Sequence, residues 1–546
     1  MGLEDDGSDL IRDLLRPEAY REGRGEPISL RTTHASWVFL SGNHAWKVKR
    51  PVNFGFLDFR TPEARHRACR DEVRLNRRLA PDVYLGVEPV RKTSRGHAVG
   101  GDGEGPVVDW AVHMRRLPDD SSAAALLARG ELDSLALAVL AERLALFFAG
   151  APSKPQFGTP TVLCLNATEN FSEVAPFVGD LLDQETLDEV EAFQMSLLTQ
   201  QVERFVARVA GDRIREGHGD LRLEHVYFMP VADGKPRPIV IDCIEFNERF
   251  RCGDAAAEVA FLAMELEAAG RPELAAGFVA RYAEASDDFG LYGVLDFYLS
   301  YRAWIRGKVA ALVAADPTTT ADLRARKRAE AARDFRLARS FAGKPLYRPF
   351  LVVVGGVIGS GKSTLAAALG RELALPVIGS DRTRKLEAGL APTARGGADL
   401  YDRGQTERTY AEIIRRATEV LTSGRGAILD ATFSVHRWRQ AAAAAAQVGN
   451  ANFVFIEATC TDPGSLRARL ASRRGGPSVS DATDELLDEF LRRYEPLSPS
   501  DPGPSFSIET SGPRSGSLRE ALRLLQSTGI VLAGPPQLLR EPGSPQ

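Results

Sequence analysis

The chain has 546 residues, too many for one hydrophobic core and enough for roughly three or four domains at about 150 residues each. Charged residues make up 26% and hydrophobic residues 44%, an ordinary globular composition that excludes wholesale disorder. Lysine and arginine number 69 against 73 aspartate and glutamate residues. The resulting net charge of −4 argues against a protein that mainly coats nucleic acid or an anionic membrane.

The five cysteines include no Cys-x-x-Cys pair, and none of the eight histidines opens a His-Glu-x-x-His motif. This spacing argues against a disulfide framework and a structural zinc site. The acidic N-terminus lacks the cationic and apolar regions of a signal peptide, and no apolar run reaches the roughly 18 residues that a membrane helix needs. We therefore expect a soluble, cytoplasmic protein without a membrane partner.

Two strands, over residues 35–40 and 44–49, are predicted to form a β-hairpin around a Ser-Gly-Asn turn. The second strand carries Lys47 and, two residues further on the same face, Lys49. A helix predicted over 62–79 contains Glu72, which is placed to pair with the lysine as in protein kinases. Alone, each charge would be typical of a solvated face, so the prediction rests on their order along the chain.

Residues 218–228 begin with His-Gly-Asp and precede an Asp-Gly turn at Asp233 and a strand over 239–242. A loop aspartate, a tight hairpin and a second aspartate at a strand end form the arrangement of base and metal ligand in a kinase site. Because the hairpin turns the chain back, Asp220 and Asp242 can converge on one Mg-ATP. The alternative is a turn with a purely structural purpose.

Over roughly residues 30–310 this half resembles the aminoglycoside phosphotransferase family, which has a kinase-like fold. The resemblance implies that Asp220 is the catalytic base and that Asp242 binds metal at the strand end. Gly253-Asp254 with Glu258 resembles the Gly-Asp motif that follows in that family.

One position departs from this family's pattern. Five residues after the catalytic aspartate the family has a metal-binding asparagine, whereas this chain has His225. Imidazole is a poor ligand for Mg²⁺, which prefers oxygen. We therefore treat His225 as a candidate metal ligand whose chemistry bears on activity, with the carboxylate and amide oxygens of residues 242–247 as candidates to compensate.

A change of composition near residue 345 marks a domain boundary. A charged, alanine-rich helical stretch over 321–341 precedes it, and an apolar strand over 350–354 follows. Short apolar runs then alternate with helices, the pattern of a parallel α/β sheet. The predicted organisation is an N-terminal helical extension (1–30), a kinase-like domain (31–320), a helical linker (321–349), a parallel α/β domain (350–530) and a flexible tail (531–546).

Residues 356–363 read Gly-Val-Ile-Gly-Ser-Gly-Lys-Ser and fit the phosphate-binding pattern G-x-x-x-x-G-K-[ST]. The glycines let backbone N–H groups turn around phosphate oxygens, and the following helix adds its positive N-terminus. Lys362 is expected to reach the β- and γ-phosphates, and the Ser363 hydroxyl to bind Mg²⁺. The predicted nucleotide-binding residues here are Gly356, Gly359, Ser360, Gly361, Lys362, Ser363 and Thr364.

Two later strands are predicted to end in carboxylates, at the sheet edge where open α/β folds place ligands. The first delivers Asp381, placed to accept the proton of an attacking hydroxyl, and Arg384, placed to hold the substrate. The alternative is that Asp381 only caps the following helix. Asp430, at the end of the second strand, suits the water shell of Mg²⁺.

Arginines crowd a later predicted helix. Arg469 and Arg473 lie one turn apart and are placed to clamp the triphosphate. Alternatively, they belong to a solvated helix face.

Residues 346–530 resemble the small P-loop kinases of the gluconate kinase, chloramphenicol phosphotransferase, zeta-toxin and polynucleotide 5′-kinase group. In the polynucleotide kinase an aspartate and an arginine three residues on serve as general base and substrate anchor, and Asp381 and Arg384 match that spacing. The order of the two halves resembles bacterial chains in which a phosphotransferase-like domain is fused to a P-loop kinase.

The predicted fold class is α/β and α+β: a kinase-like fold followed by a three-layer α/β/α domain with a parallel sheet. We expect an ATP-dependent kinase with ATP and Mg²⁺ at two nucleotide sites and a hydroxyl of a small polar metabolite as acceptor. Three alternatives stay open: an RNA or DNA 5′-hydroxyl as acceptor, an N-terminal half that only binds or regulates, and a nucleotide-driven switch without an acceptor.

Overall fold

The computed structural model describes residues 7–22, 26–55, 57–100, 105–231, 234, 236–343, 345, 347–391, 393–472 and 487–529. The chain forms two compact units, Met1–Leu165 with Phe205–Glu265 and Asn166–Arg204 with Leu266–Gln546. This division does not coincide with the predicted boundaries at 320 and 349, because helices of the predicted kinase-like domain belong to the same unit as the P-loop. No described helix is both long and apolar enough to cross a membrane.

The first unit is built on a six-stranded antiparallel sheet with strand order β1-β2-β3-β6-β4-β5. The strands up to residue 254 are β1 (Ser29–Thr32), β2 (Ser36–Ser41), β3 (His44–Lys49), β4 (Tyr84–Thr93), β5 (Gly96–Val99), β6 (Val107–Arg115), β7 (Ile214–Glu216), β8 (Val226–Met229), β9 (Arg237–Val240) and β10 (Cys252–Asp254). The helices up to residue 268 are α1 (Ser8–Leu14), α2 (Pro62–Asn76), α3 (Ala123–Ala128), α4 (Ser134–Gly150), α5 (Pro160–Val174), α6 (Gln184–Gln200), α7 (Val202–Ala210), α8 (Glu248–Arg251) and α9 (Ala255–Ala268).

The N-terminal segment covers one face of this sheet. Leu14 and Tyr20 are buried there with Trp46 of β3. Within the described residues 7–22 and 26–30, the predicted helical extension over 1–30 has α1, a 3₁₀ turn and the start of β1, and apolar side chains of α1 belong to the core of the sheet.

Helix α2 covers the opposite face. It begins where Thr61 caps it, the side chain accepting a hydrogen bond from the backbone N–H of Ala64 at 3.2 Å, with proline at its first position. Arg65 fixes it to the sheet by donating to both carboxylate oxygens of Asp109 at 2.9–3.0 Å. Strict alternation along β3 therefore sends Lys47 and Lys49 toward α2, and His44 and Trp46 toward the N-terminal segment.

The predicted hairpin after the His-Gly-Asp loop is confirmed, since β8 and β9 pair antiparallel from Val226↔Val240 to Met229↔Arg237. Asp233 of its turn lies outside the described residues. A second short pair, β7 with β10, brackets the loop. Together these strands bring the loop close to residues 241 and 242.

The second unit contains the predicted parallel sheet, which has five strands in the order β12-β13-β11-β14-β15. Its strands are β11 (Phe350–Gly355), β12 (Val377–Gly379), β13 (Ala427–Asp430), β14 (Asn452–Thr459) and β15 (Ser505–Glu509). The helices from residue 272 onward are α10 (Pro272–Ser286), α11 (Tyr292–Ala315), α12 (Ala321–Ala342), α13 (Lys362–Glu372), α14 (Ser380–Glu387), α15 (Arg403–Thr422), α16 (His436–Val448), α17 (Pro463–Ser472), α18 (Leu487–Arg493) and α19 (Arg514–Ser527). Leucines of α13 and α19 pack on the strands and form a continuous core.

Helix α12 occupies most of the predicted linker and is packed along its length against α11. Phe335 is 1% exposed and its ring centroid lies 4.9 Å from that of Trp304. Gly307 makes this approach possible, since a Cβ there would lie 2.7 Å from the Phe335 ring. The segment is thus part of the folded core of the second unit. The predicted tail over 531–546 lies outside the described residues.

Candidate active sites

A buried charge cluster lies between β3 and α2 in the first unit. The Lys47 ammonium is 2.9 Å from Glu72 Oε1 and 2.6 Å from Asp242 Oδ1, so the predicted lysine–glutamate pair is confirmed. The Lys49 ammonium is 2.5 Å from Glu72 Oε2 and also contacts Glu245. One fully buried carboxylate therefore bridges two lysines.

The charges in this cluster stabilise one another. Burial alone would lower the pKa of Lys47, but the carboxylates of Asp242 and Glu72 outweigh it and raise that pKa well above its ordinary value. Partial burial would likewise raise the pKa of Asp242, but Lys47 and His225 outweigh it and lower the pKa. Asp242 also adopts a left-handed backbone conformation, with φ of 65°, and its N–H donates to the Tyr84 hydroxyl at 3.1 Å.

The His-Gly-Asp loop is held in place by neutral and charged partners. His218 is buried, which lowers its pKa to about 4 and keeps the ring neutral. Its Nε2 lies 2.9 Å from the Ile241 carbonyl and its Nδ1 lies 3.3 Å from the Asp220 N–H, so Nε2–H donates and Nδ1 accepts. Gly219 has φ of 88° and donates its N–H to Glu258 at 2.6 Å. This scaffold leaves the Asp220 side chain partly exposed at the site.

His225 lies between the two aspartates of this site. Its Nδ1 is 2.9 Å from the Asp220 carbonyl oxygen, to which it donates, and its Nε2 is 3.6 Å from Asp242 Oδ2. An imidazole and a carboxylate already bound by Lys47 do not form the oxygen-rich set that Mg²⁺ prefers. The residues present at the N-terminal site therefore do not fit Mg²⁺ bound as the aminoglycoside phosphotransferase resemblance implies.

The candidate compensating oxygens are engaged elsewhere. Glu245 pairs with Lys49, and Asn247 caps α8 by accepting from the Arg249 N–H at 3.0 Å. Sequence reasoning also missed Glu265, which accepts from the Leu223 N–H at 2.6 Å and anchors the loop beyond Asp220. No local signal marked it, because it lies 42 residues along the chain, in α9.

The phosphate loop of the second unit has the predicted cradle. Gly356, at φ 134°, passes so close to β14 that a Cβ would lie 2.4 Å from the Ala458 carbonyl oxygen. Gly359 and Gly361 have φ of 81° and 89°, conformations that favour glycine. The buried Ser360 completes the loop, and its carbonyl accepts from the Thr510 hydroxyl.

Lys362, Ser363 and Thr364 form the first turn of α13, and the two hydroxyl-bearing residues are exposed. Asp430 ends β13, next to β11 in register with Val354 and next to β12 in register with Gly379. A glycine cradle that side chains would fill, a hydroxyl at a helix N-terminus and a carboxylate at the adjoining strand end fit a nucleotide with Mg²⁺. Ser363 and Asp430 are the residues that would hold the cation.

Asp381 and Arg384 lie at the edge where β12 and β13 end. Arg384 Nη1 donates to Asp381 Oδ1 at 3.1 Å across one turn of α14. Arg384 is 6% exposed, packs its guanidinium 4.6 Å above the Tyr401 ring, and its Nε has no hydrogen-bond partner among the residues described. Gly379 is the N-cap of α14, so Asp381 is not the helix cap.

Arg469 contacts the back of the phosphate loop. Its guanidinium donates to the Gly359 carbonyl at 3.4 Å and to the Thr510 carbonyl at 2.6 Å. It therefore ties the loop to the end of β15, and its contact with a triphosphate stays a prediction. Arg473 lies outside the described residues.

The amino-acid sequence is similar to those of two mycobacterial proteins over most of its length. The uncharacterized protein Rv2004c of Mycobacterium tuberculosis is 32% identical over 508 residues, 92% of this chain and 96% of that protein. The uncharacterized protein Mb2027c of Mycobacterium bovis matches to the same extent. The chain belongs to the family of these mycobacterial proteins. Residues 351–497 of this chain match the AAA domain family.

Solved structures resemble each half separately. A choline/ethanolamine kinase family protein from Mesorhizobium loti is 11% identical and covers 61% of this chain and 99% of its own, with a TM-score of 0.34. A gluconokinase from Sinorhizobium meliloti 1021 is 22% identical and covers 33% of this chain and 94% of its own, with a TM-score of 0.25.

The predicted fold class is confirmed for both halves. In the C-terminal half the AAA domain match coincides with the parallel sheet and its phosphate loop. In the N-terminal half the antiparallel sheet, the Lys47–Glu72 pair and the His-Gly-Asp loop form a kinase-like fold. The chain thus carries an antiparallel-sheet domain with a His-Gly-Asp loop and a parallel-sheet domain with a phosphate loop.

Proposed function

We propose that the C-terminal site transfers the γ-phosphoryl group of ATP to a hydroxyl of a small polar metabolite. The observation that carries this proposal is the Asp381–Arg384 pair after β12, at the same edge of the parallel sheet as the phosphate loop after β11. A motor or switch ATPase needs no second, polar site at the end of another strand of the sheet, whereas a kinase needs a base and an anchor for its acceptor.

The residues divide the work as follows. Asp381 accepts the proton of the acceptor hydroxyl, and its partly exposed carboxylate leaves room for that group. Arg384 keeps one nitrogen on Asp381 and has Nε available for a polar acceptor. Lys362 and the loop N–H groups orient the triphosphate and stabilise charge that develops on it. Bound Mg²⁺, held by Ser363 and Asp430, would neutralise phosphate charge.

An RNA or DNA 5′-hydroxyl is the alternative acceptor. It is favoured by aromatic side chains at this edge, where Tyr410 stacks on Trp438 with ring centroids 4.6 Å apart and Arg437 lies 4.5 Å above the Trp438 ring. Those rings already contact one another and an arginine. Less of their surface is therefore left for a base, which supports the small acceptor.

In the test, the full chain is incubated with γ-labelled ATP, Mg²⁺, a metabolite extract and a pool of 5′-hydroxyl RNA, and the labelled products are identified. Lys362→Ala should abolish labelling, and Asp381→Asn should slow it by about 10²–10⁴-fold. Asp402→Asn is the matched control, since Asp402 caps α15 in the same unit and asparagine caps equally well. Label in the RNA would show that a 5′-hydroxyl, and not a small metabolite, is the acceptor. ATP hydrolysis that Asp381→Asn leaves unchanged would overturn the proposal in favour of the switch.

A second role, supported by His225, belongs to the N-terminal site: it binds a ligand and regulates the C-terminal kinase instead of transferring phosphate. Asp220→Ala in the full chain should then leave the chemical identity of every labelled product unchanged. A product that disappears with Asp220→Ala but persists with Lys362→Ala would establish a second active phosphotransferase.

A further inference from the structure

Two histidines and two glutamates meet on the face of the first unit's sheet that lies opposite Lys47. His44 is on β3, His113 on β6 and Glu88 on β4, all turned toward the N-terminal segment. Glu22 comes from that segment, between the 3₁₀ turn and β1. The four residues come from four separated stretches of chain, so this cluster is independent of both sites described above.

Three atoms of the cluster form a compact triangle. His44 Nδ1 lies 2.9 Å from His113 Nε2, and Glu22 Oε2 lies 3.4 Å from each of these nitrogens. Ligand atoms of a tetrahedral zinc ion, about 2.0–2.1 Å from the metal, are separated by about 3.3 Å. A point about 2.0–2.1 Å from all three atoms exists roughly 0.8 Å above their plane. The side chains thus already have the spacing of a metal site, with the two nitrogens slightly close.

The fourth residue orients the buried histidine. His113 Nδ1 lies 2.8 Å from Glu88 Oε1, so it donates its proton there and turns the lone pair of Nε2 toward the triangle. A carboxylate behind a histidine is the usual arrangement at metal-binding imidazoles. His113 is 4% exposed and its ring stacks on Trp46 at 5.0 Å, which leaves it little freedom to turn.

We propose that Glu22, His44 and His113 bind a divalent transition-metal ion of the Zn²⁺ class, with Glu88 as the residue that positions His113. Two imidazoles and one carboxylate suit zinc and not Mg²⁺ or Ca²⁺. Binding moves one proton: His44 Nδ1–H, which otherwise donates to His113 Nε2, gives up its hydrogen as the ring takes the other tautomer. The His44 side chain is 29% exposed, so its Nε2 can carry that proton into solvent contact.

The charge around the cluster supports a cation. Among the described residues, Glu22 and Glu88 form ion pairs with these histidines and with no lysine or arginine. A second grouping, Glu216 with Glu248 and Cys252, differs in this respect. There Arg251 lies 3.1 Å from Glu216, and a lysine pairs with Glu248. Of these two groupings in the described part of the chain, the histidine cluster is the one whose carboxylates form no ion pair with lysine or arginine.

The bound ion would fasten the N-terminal segment to the sheet. Glu22 lies two residues after Tyr20, whose ring centroid is 4.3 Å from that of Trp46 in β3. The metal would therefore add a second connection between this segment and the sheet. Three protein ligands leave a fourth position for water. The spacing of histidines along the chain does not reveal such a site, because it depends on the strand register that pairs Trp46 with His113.

The test uses Co²⁺ as a spectroscopic probe and Zn²⁺ as a competitor, on the full chain after chelator treatment and without nucleotide. We expect one equivalent of Co²⁺ with visible absorption bands of tetrahedral intensity, bleached by Zn²⁺. His44→Ala should remove these bands, and Glu88→Gln should weaken binding about 10–100-fold. Glu22→Gln is a milder variant at an exposed position and should also weaken binding.

Two histidine variants serve as controls. His97→Asn changes a buried histidine that pairs with Asp13 at 2.8 Å but has no second imidazole beside it in the described structure, and it should leave the spectrum intact. His225→Asn should do the same. Bands that persist in His44→Ala and disappear in His225→Asn would place the ion in the kinase-like site and overturn the proposal. Absence of stoichiometric Co²⁺ binding to the wild-type chain would also overturn it.

Discussion

Replacing Lys47 by methionine should destabilise the first unit more than replacing Glu72 by glutamine. The cluster holds two ammonium groups, of Lys47 and Lys49, and three carboxylates, of Glu72, Asp242 and Glu245, so its formal charge is −1. Lys47→Met leaves one cation against three carboxylates, a charge of −2. Glu72→Gln leaves two of each, and every lysine keeps a carboxylate partner.

The expected magnitudes follow from burial. Removing one partner of a buried ion pair costs about 3–5 kcal/mol, because the remaining charge is stranded away from water. Glu72→Gln loses charge-assisted hydrogen bonds but strands no charge, so we expect about 1–3 kcal/mol. Burial raises the pKa of Glu245, so this carboxyl takes up a proton readily when Lys47 is lost. The cost of Lys47→Met should therefore shrink as the pH is lowered from 8 toward 5.

Amide hydrogen exchange read by mass spectrometry measures the effect where it arises, in peptides from β3 and α2. Lys92→Met, at an exposed lysine of the same sheet, is the matched control and should change opening free energies by less than about 0.5 kcal/mol. If Glu72→Gln costs as much as Lys47→Met, net charge does not decide the stability of this cluster. The reasoning would then be refuted.

Three further changes test the second unit. Phe335→Ala should cost about 3–5 kcal/mol, measured by urea unfolding, since its ring is buried against α11; a loss below 1 kcal/mol would mean that α12 contributes little to the core. Gly356→Ala should abolish ATP binding in calorimetry, because the Cβ would lie 2.4 Å from a carbonyl oxygen; unchanged affinity would show that the loop can shift. Burial raises the pKa of Glu284 to about 7, so its carboxyl binds a proton more tightly in the folded than in the unfolded state. The contribution of Glu284 to the free energy of unfolding should be fully present at and below about pH 4.5, and it should fall by up to about 3 kcal/mol as the pH rises through 7. Glu284→Gln should flatten that dependence in urea midpoints, and an unaltered slope would assign it to another group.

The features predicted correctly from sequence are those whose chemistry is local or ordered along the chain. The phosphate loop needs eight consecutive residues, and the structure gives its glycines the expected backbone conformations. The pairing of Lys47 with Glu72 was predictable from a strand followed by a helix, because β3 and α2 are neighbours in sequence and in space. The parallel sheet followed from the alternation of apolar runs and helices.

Other features depend on distant contacts that no local pattern encodes. Arg469 lies on a helix near the loop, as predicted. Its guanidinium, however, donates to the carbonyl oxygens of Gly359 and Thr510, and the position of Thr510 depends on where β15 ends. The packing of α12 is equally hidden, since an alanine-rich charged helix suits both a linker and a packed element. Its role is decided by Phe335 and the gap at Gly307, 28 residues apart in the sequence.

The two candidate sites differ in what holds their carboxylates, and this difference supports the proposal that phosphoryl transfer takes place at the C-terminal site. In the first unit Asp242 binds Lys47 at 2.6 Å through one oxygen and faces His225 with the other. A divalent cation at Asp242 would have to displace an ammonium and accept a nitrogen ligand that Mg²⁺ disfavours. In the second unit Asp381 contacts Arg384 at 3.1 Å through one carboxylate oxygen, and its side chain stays partly exposed. A lysine thus occupies the candidate metal ligand of the first site, whereas the proposed base of the second site is left open to a proposed acceptor.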